Sequence, residues 1–151
     1  MPAERLQQMK SRYAAKTAVP INRSQEEIRK ILGKYGADGF AFAELKESAM
    51  IAFELSGKQI RFKLPMPAKP NVDAPQVRFK EWEQTCKSKW RALALSIKAK
   101  LECVACGITT LEEEFLAHIM LPNGKTVGEI TMEQIEHSYK NGKMPLLLGM
   151  K

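Results

Sequence analysis

The chain has 151 residues, with 24 Lys and Arg against 17 Asp and Glu, a formal charge of +7 and a pI near 9.4. At 44% hydrophobic and 27% charged it has the composition of a globular domain spanning 1–151, long enough to bury a core without metal or disulfide staples. No apolar run is long enough to cross a bilayer, the opening Met1-Pro2-Ala3-Glu4-Arg5 lacks the apolar stretch of a secretory signal, and an odd three cysteines point to reduced thiols in a cytosol.

Residues 3–16 place Leu6, Met9 and Tyr13 at helical spacing, predicting an N-terminal helix within an arm over 1–23. Pro20 then predicts an extended stretch from Thr17 to Arg23, and Ser24-Gln25-Glu26-Glu27 reads as a capping box that opens a helix through Ile28, Ile31, Leu32 and Tyr35. Three alternating segments follow. Phe40 and Phe42 alternate with Ala41 and Ala43, Ile51 and Phe53 lead to Leu55, and Ile60, Phe62 and Leu64 alternate with Gln59, Arg61 and Lys63. With a turn at Ser56-Gly57 they predict an antiparallel meander with one buried face.

Four prolines make 65–75 a stiff connector. Phe79, Trp82, Cys86, Trp90, Leu93, Ile97, Leu101 and Val104 then mark one long helix over 76–106. Thr109 or Thr110 with Glu112 or Glu113 offers a second capping box and a short acidic helix. The Pro122-Asn123-Gly124-Lys125 turn predicts a hairpin of strands over 117–121 and 126–130. Thr131 with Gln134 predicts a last helix to about Lys140, and the leucine-bearing tail from Lys143 should dock. The expected fold is α+β: a three-stranded meander packed on a long helix, with a helix before it and a hairpin-helix unit after it.

Charge is uneven along this plan. Residues 1–35 hold eight Lys/Arg against three Glu, 76–107 seven against three, and 108–151 four against six. The excess therefore sits on helices, and a polyanion, nucleic acid above all, is the expected partner. Lys80, Lys87, Arg91 and Lys98 lie within ~40° of one another over ~27 Å of the long helix, enough to follow several phosphates. Arg61 and Lys63, on the polar face of the third strand, could extend that row. A merely solvated helix flank would carry the same residues.

Cys103-Val104-Ala105-Cys106 sits at a helix C-terminus, where the dipole opposes a thiolate, and is expected to hold buried thiols. A zinc site would need His118 and His137 as well, at separations of 12 and 19 residues that match no standard finger. Glu112, Glu113 and Glu114 suit a helix start. No P-loop, G-x-S-x-G or G-x-G-x-x-G is present, and no acid, base and nucleophile converge. Neither catalysis nor a cofactor is expected.

Several blocks carry a resemblance: Val19-Pro20-Ile21 through Ile28, Lys34-Tyr35-Gly36-Ala37-Asp38, Lys89-Trp90-Arg91-Ala92-Leu93 with Ile97 through Glu102, Glu112 through His118, Leu121 through Val127, and Gly142-Lys143-Met144-Pro145. Together they resemble a family of small phage and prophage proteins over most of the chain outside 66–78. That resemblance implies a bacterial host cytosol and two kinds of function. One is handling of phage DNA, with DNA ahead of RNA as partner; the β-β-β-α order is similar to that of phage single-strand annealing proteins. The other is anti-defence or host takeover by protein–protein binding, such as inhibition of a host nuclease or CRISPR complex. The open edge of a three-stranded meander also offers a pairing site for a homo-oligomer.

Overall fold

The computed structural model describes residues 14–145. The helix expected over 3–16 lies outside them up to residue 13, and Ala14–Lys16 form a turn. The tail over 146–151 also lies outside them.

Helix α1 (Ile21–Lys34) starts directly after Pro20, not at the expected Ser24 cap. Proline has no N–H to lose at a helix start, and at φ −62° and ψ 154° Pro20 takes the extended geometry of an N-cap. Its carbonyl accepts the Ser24 N–H at 3.2 Å, so Ser24 sits one turn inside the helix with its side chain fully buried.

Strands β1 (Asp38–Glu44), β2 (Ser48–Leu55) and β3 (Lys58–Pro65) form the expected antiparallel meander in the order β1-β2-β3. Ser56 at φ 52° and Gly57 at φ 70° close the β2–β3 hairpin with two left-handed residues, the geometry that matches strand twist. Register sets Phe42 against Ile51 and Ile51 against Phe62. One face therefore carries Phe40, Phe42, Ile51, Phe53, Ile60, Phe62 and Leu64. The other carries Ala41, Ala43, Met50, Ala52, Arg61 and Lys63.

The proline-rich stretch leads from β3 to the next helix, pinned where Trp82 Nε1 donates to the Pro67 carbonyl at 3.1 Å. Helix α2 (Gln76–Ala105) follows and buries Trp90, Ala94, Ile97 and Leu101 against the apolar sheet face, with Cys86 buried one turn before them. Trp90, 1% exposed and 6.0 Å from the Phe42 ring, anchors this contact. Truncating such a side chain costs about 3–5 kcal/mol. Helix α1 lies beside α2 on the same face, so the described chain is two layers, helices over a sheet whose second face is open.

Helix α3 (Leu111–Phe115) realises the Thr110–Glu113 capping box. Its Phe115 is fully buried and packs edge-on against Phe53 and Phe62, at 6.2 and 6.0 Å. The expected hairpin is a correction. Residues Leu116–His118 form a 3-10 turn, and the strand over 117–121 shrinks to single bridges, Ile60 to Ile119 and Met120 to Thr126. The partner strand is absent because Thr126 accepts the Glu129 N–H, and Glu129 returns a bond to the Thr126 N–H. That capping box opens helix α4 (Val127–Asn141) five residues before the expected cap at Thr131, whose hydroxyl instead donates to the Val127 carbonyl. None of the described helices is long and apolar enough to cross a membrane.

Candidate nucleic-acid interface

Three contacts fix how α1 and α2 run. Ile21 and Trp82 wall one cavity, Glu27 meets Arg91, and the Tyr35 hydroxyl donates to the Leu101 carbonyl at 3.3 Å. Residue numbers rise together along both helices, so they are parallel. Together they carry eleven Lys/Arg against five Glu.

The row of Lys80, Lys87, Arg91 and Lys98 lies ~60–100° around α2 from Trp90, on the flank that borders α1. Lys80 and Lys98 are exposed, and Lys87 is half-buried on the cavity wall. Arg91 is half-buried and ion-paired with Glu27. On the outer side of α1, Arg23, Lys30 and Lys34 are exposed as well. Among the described residues none of Arg23, Lys30, Lys34, Lys80, Lys87 and Lys98 has a carboxylate within ion-pair distance. The row is thus broader than its own helix. The α1 contribution was foreshadowed by the basic excess of residues 1–35, but it needed the parallel packing to bring it alongside α2.

Arg61 and Lys63 do not extend this row. Strand alternation puts them on the open face, with the sheet between them and the helices. Arg61 is further engaged by Glu129 at 2.9 Å. That ion pair and the two Thr126 bonds hold the Glu129 carboxyl below its ordinary value, the Thr126 backbone N–H contributing most.

Neither tryptophan of the helical layer is free to stack a base. Trp90 is buried, and Trp82 has its indole N–H on Pro67 and the Lys69 ammonium 5.6 Å over its ring. The acidic triplet is engaged within the fold. Glu113 caps α3, Glu112 reaches Lys58 at 3.4 Å, and Glu114 accepts from the Thr109 hydroxyl at 2.7 Å and lies 3.4 Å from Lys100. Glu114 is held below the ordinary carboxylate range, first by the Thr109 bond and then by Lys100.

The cysteines correct another expectation. The buried thiol is Cys86, pushed above its ordinary value by burial and by the Glu44 carboxylate, while Cys103 is half-buried and Cys106 exposed. The described residues hold no cluster of three or more His, Cys, Asp or Glu placed to bind a metal, and His118 instead stacks on Phe62 at 3.9 Å between ring centroids. A cavity of about 440 Å³ lies at the N-terminal end of α2, walled by Met66, Trp82 and Trp90 with Glu44, Cys86 and Lys87. Sequence periodicity had no means of finding it. No protein-family model, curated protein or solved structure matches the chain.

Proposed function

We propose that this protein is a non-catalytic nucleic-acid-binding accessory protein, of the kind that serves phage DNA replication, recombination or annealing in a bacterial cytosol. The α1–α2 layer would lie along the phosphate backbone. One observation carries the reading: two parallel helices present Arg23, Lys30, Lys34, Lys80 and Lys98 on exposed positions with no carboxylate partner among the described residues. Cations in fixed geometry beside one another release counterions on binding, which makes affinity salt-dependent. With neither tryptophan free to stack a base, the layer suits contact with the backbone rather than with base identity. DNA stands ahead of RNA through the phage context of the resemblance.

The test is fluorescence anisotropy with labelled single- and double-stranded DNA and RNA at ~50 and ~200 mM salt. Binding that weakens steeply with salt and favours DNA supports the reading. Equal absence of binding to all four probes at both salts removes it.

A second reading, an anti-defence or host-takeover protein acting by protein–protein binding, is favoured by a separate observation. Helix α4 buries no residue, and Met132, Ile135 and Tyr139 form an exposed stripe at spacings of three and four, with Tyr139 89% exposed. Such a stripe is the anchor pattern of helix-in-groove recognition. Ile135→Asp would abolish capture of a host protein under this reading and leave nucleic-acid affinity unchanged under the first.

A further inference from the structure

We propose that β1 pairs antiparallel with β1 of a second copy of this chain, joining two three-stranded sheets into one of six strands about a two-fold axis through Phe42. The proposal does not depend on the nucleic-acid reading.

The two edges of the sheet differ. The outer edge of β3 is engaged by the segment after the 3-10 turn, through the Ile60–Ile119 bridge and the Met120 N–H on the Gln59 carbonyl at 2.8 Å. Among the described residues nothing pairs with the outer edge of β1. An edge left open is normally guarded by Lys, Pro or an inward charge. The span Phe40–Glu44 contains no Lys or Pro, its one inward charge is Glu44 at the strand end, and its Phe40 and Phe42 are only half-buried. A strand whose aromatics remain half-open is what a cross-strand partner would complete.

Charge selects the register. With Phe42 on the axis, Phe42 faces its own copy, Ala41 faces Ala43, and Phe40 faces Glu44 of the second copy. Opposed residues share a face, so that Glu44 arrives on the helical side of the sheet beside Phe40. The cation already there is Arg29, whose guanidinium sits 5.8 Å from the Phe40 ring centroid and 5.4 Å from that of Phe42. Its carboxylate neighbour in its own chain, Glu26, is at the 4.0 Å limit of an ion pair. Each dimer would thus hold two symmetric Arg29–Glu44 pairs. Of the two neighbouring registers, the one centred on Ala41 sets Asp38 against Glu44 and runs into the β1 irregularity between Asp38 and Ala41, and the one centred on Ala43 sets Phe40 against Lys46, past the end of the strand at Glu44. The chosen register uses only Phe40–Glu44, leaves Asp38 out, and meets the irregularity at its last residue alone, Phe40. The flank of α1 that would approach its counterpart carries Asn22, Glu26, Arg29 and Gly33, all exposed, and space around Gly33 is open.

Sedimentation equilibrium over a hundredfold dilution series tests this on the full chain. The wild type should dissociate with dilution as a monomer–dimer equilibrium. Arg29→Glu and Glu44→Arg should each weaken dimerisation roughly tenfold, since two pairs turn repulsive at once, and the double exchange should restore it. A wild type that is monomeric at every concentration overturns the proposal, as do single exchanges that leave association unchanged. Hydrogen exchange on the unaltered chain gives a reading independent of variant folding. Amide protection over residues 40–44 should rise with concentration; protection that is the same at both ends of the series overturns the pairing.

Discussion

Arg91, a cation of the α2 row, donates to the Glu27 carboxylate of α1, and the two side chains are only 23% and 33% exposed. Arg91 therefore joins the two helices rather than standing free for a phosphate. Glu27→Gln should lower stability by about 0.5–1.5 kcal/mol, the scale of a partly buried charged hydrogen bond. The same change should release Arg91 and steepen the salt dependence of DNA binding by up to ~0.9 in log–log slope. Arg91→Ala should lower stability by a similar amount with the slope unchanged. Urea unfolding and anisotropy titrations measure the two effects separately.

Ser24 distinguishes a cap from a packing residue. A capping serine loses about 1 kcal/mol on replacement by alanine. Here the Ser24 hydroxyl is fully buried without a hydrogen-bond partner among the described residues. Removing an unsatisfied buried hydroxyl from a site that fits Ala is neutral or stabilising. Ser24→Ala should therefore leave the urea midpoint unchanged or raise it.

His118 gives the fold a pH dependence on the acid side. Burial against Phe62 lowers its pKa from the ordinary 6.5, Lys100 adds to the effect, and hydrogen bonding to the Arg61 backbone opposes it. The folded protein thus holds fewer protons on this ring than the unfolded chain. Its contribution to stability is complete above pH 6.5 and is lost as pH falls toward the lower folded value. His118→Phe keeps a ring on Phe62 and should flatten the decline in unfolding free energy as pH falls below 6.5.

Gly128 sits where α4 meets the 3-10 turn. A Cβ there would lie 2.9 Å from the Ala117 carbonyl oxygen, a backbone atom that cannot rotate aside. Gly128→Ala would gain about 1 kcal/mol of helix propensity. The clash should cost about 1–3 kcal/mol. A net loss is expected, visible as a lower Tm with α4 amides exchanging faster than those of α2.

The meander and the long helix were readable because each follows one period without interruption. Ile51, Phe53 and Leu55 alternate, and Cys86, Trp90, Ile97 and Leu101 advance by helical steps. Boundaries differ from the sequence pattern where two starts compete. Pro20, which would end a helix running into it, here opens one, and Ser24-Gln25-Glu26-Glu27 matches a capping box although Ser24 is buried one turn inside that helix. At the other end, Pro122-Asn123-Gly124 does turn the chain back, but the Thr126–Glu129 box captures the backbone before a second strand can form. Of the expected interface, the α2 row was legible from spacing alone. The loss of Arg91 to Glu27, and the placing of Arg61 and Lys63 on the far face, depend on contacts between distant segments. So does the contribution of Lys30 and Lys34.

The most direct test of the account is the salt slope of DNA binding for the wild type and for Lys80→Ala/Lys98→Ala. Both side chains are exposed and make no ion pair among the described residues, so the double change should leave the fold intact. A fall in affinity with a slope shallower by ~1.4–1.8, two phosphate contacts' worth, is the predicted result. An unchanged affinity and slope would contradict the account and leave the helical layer as a solvated surface.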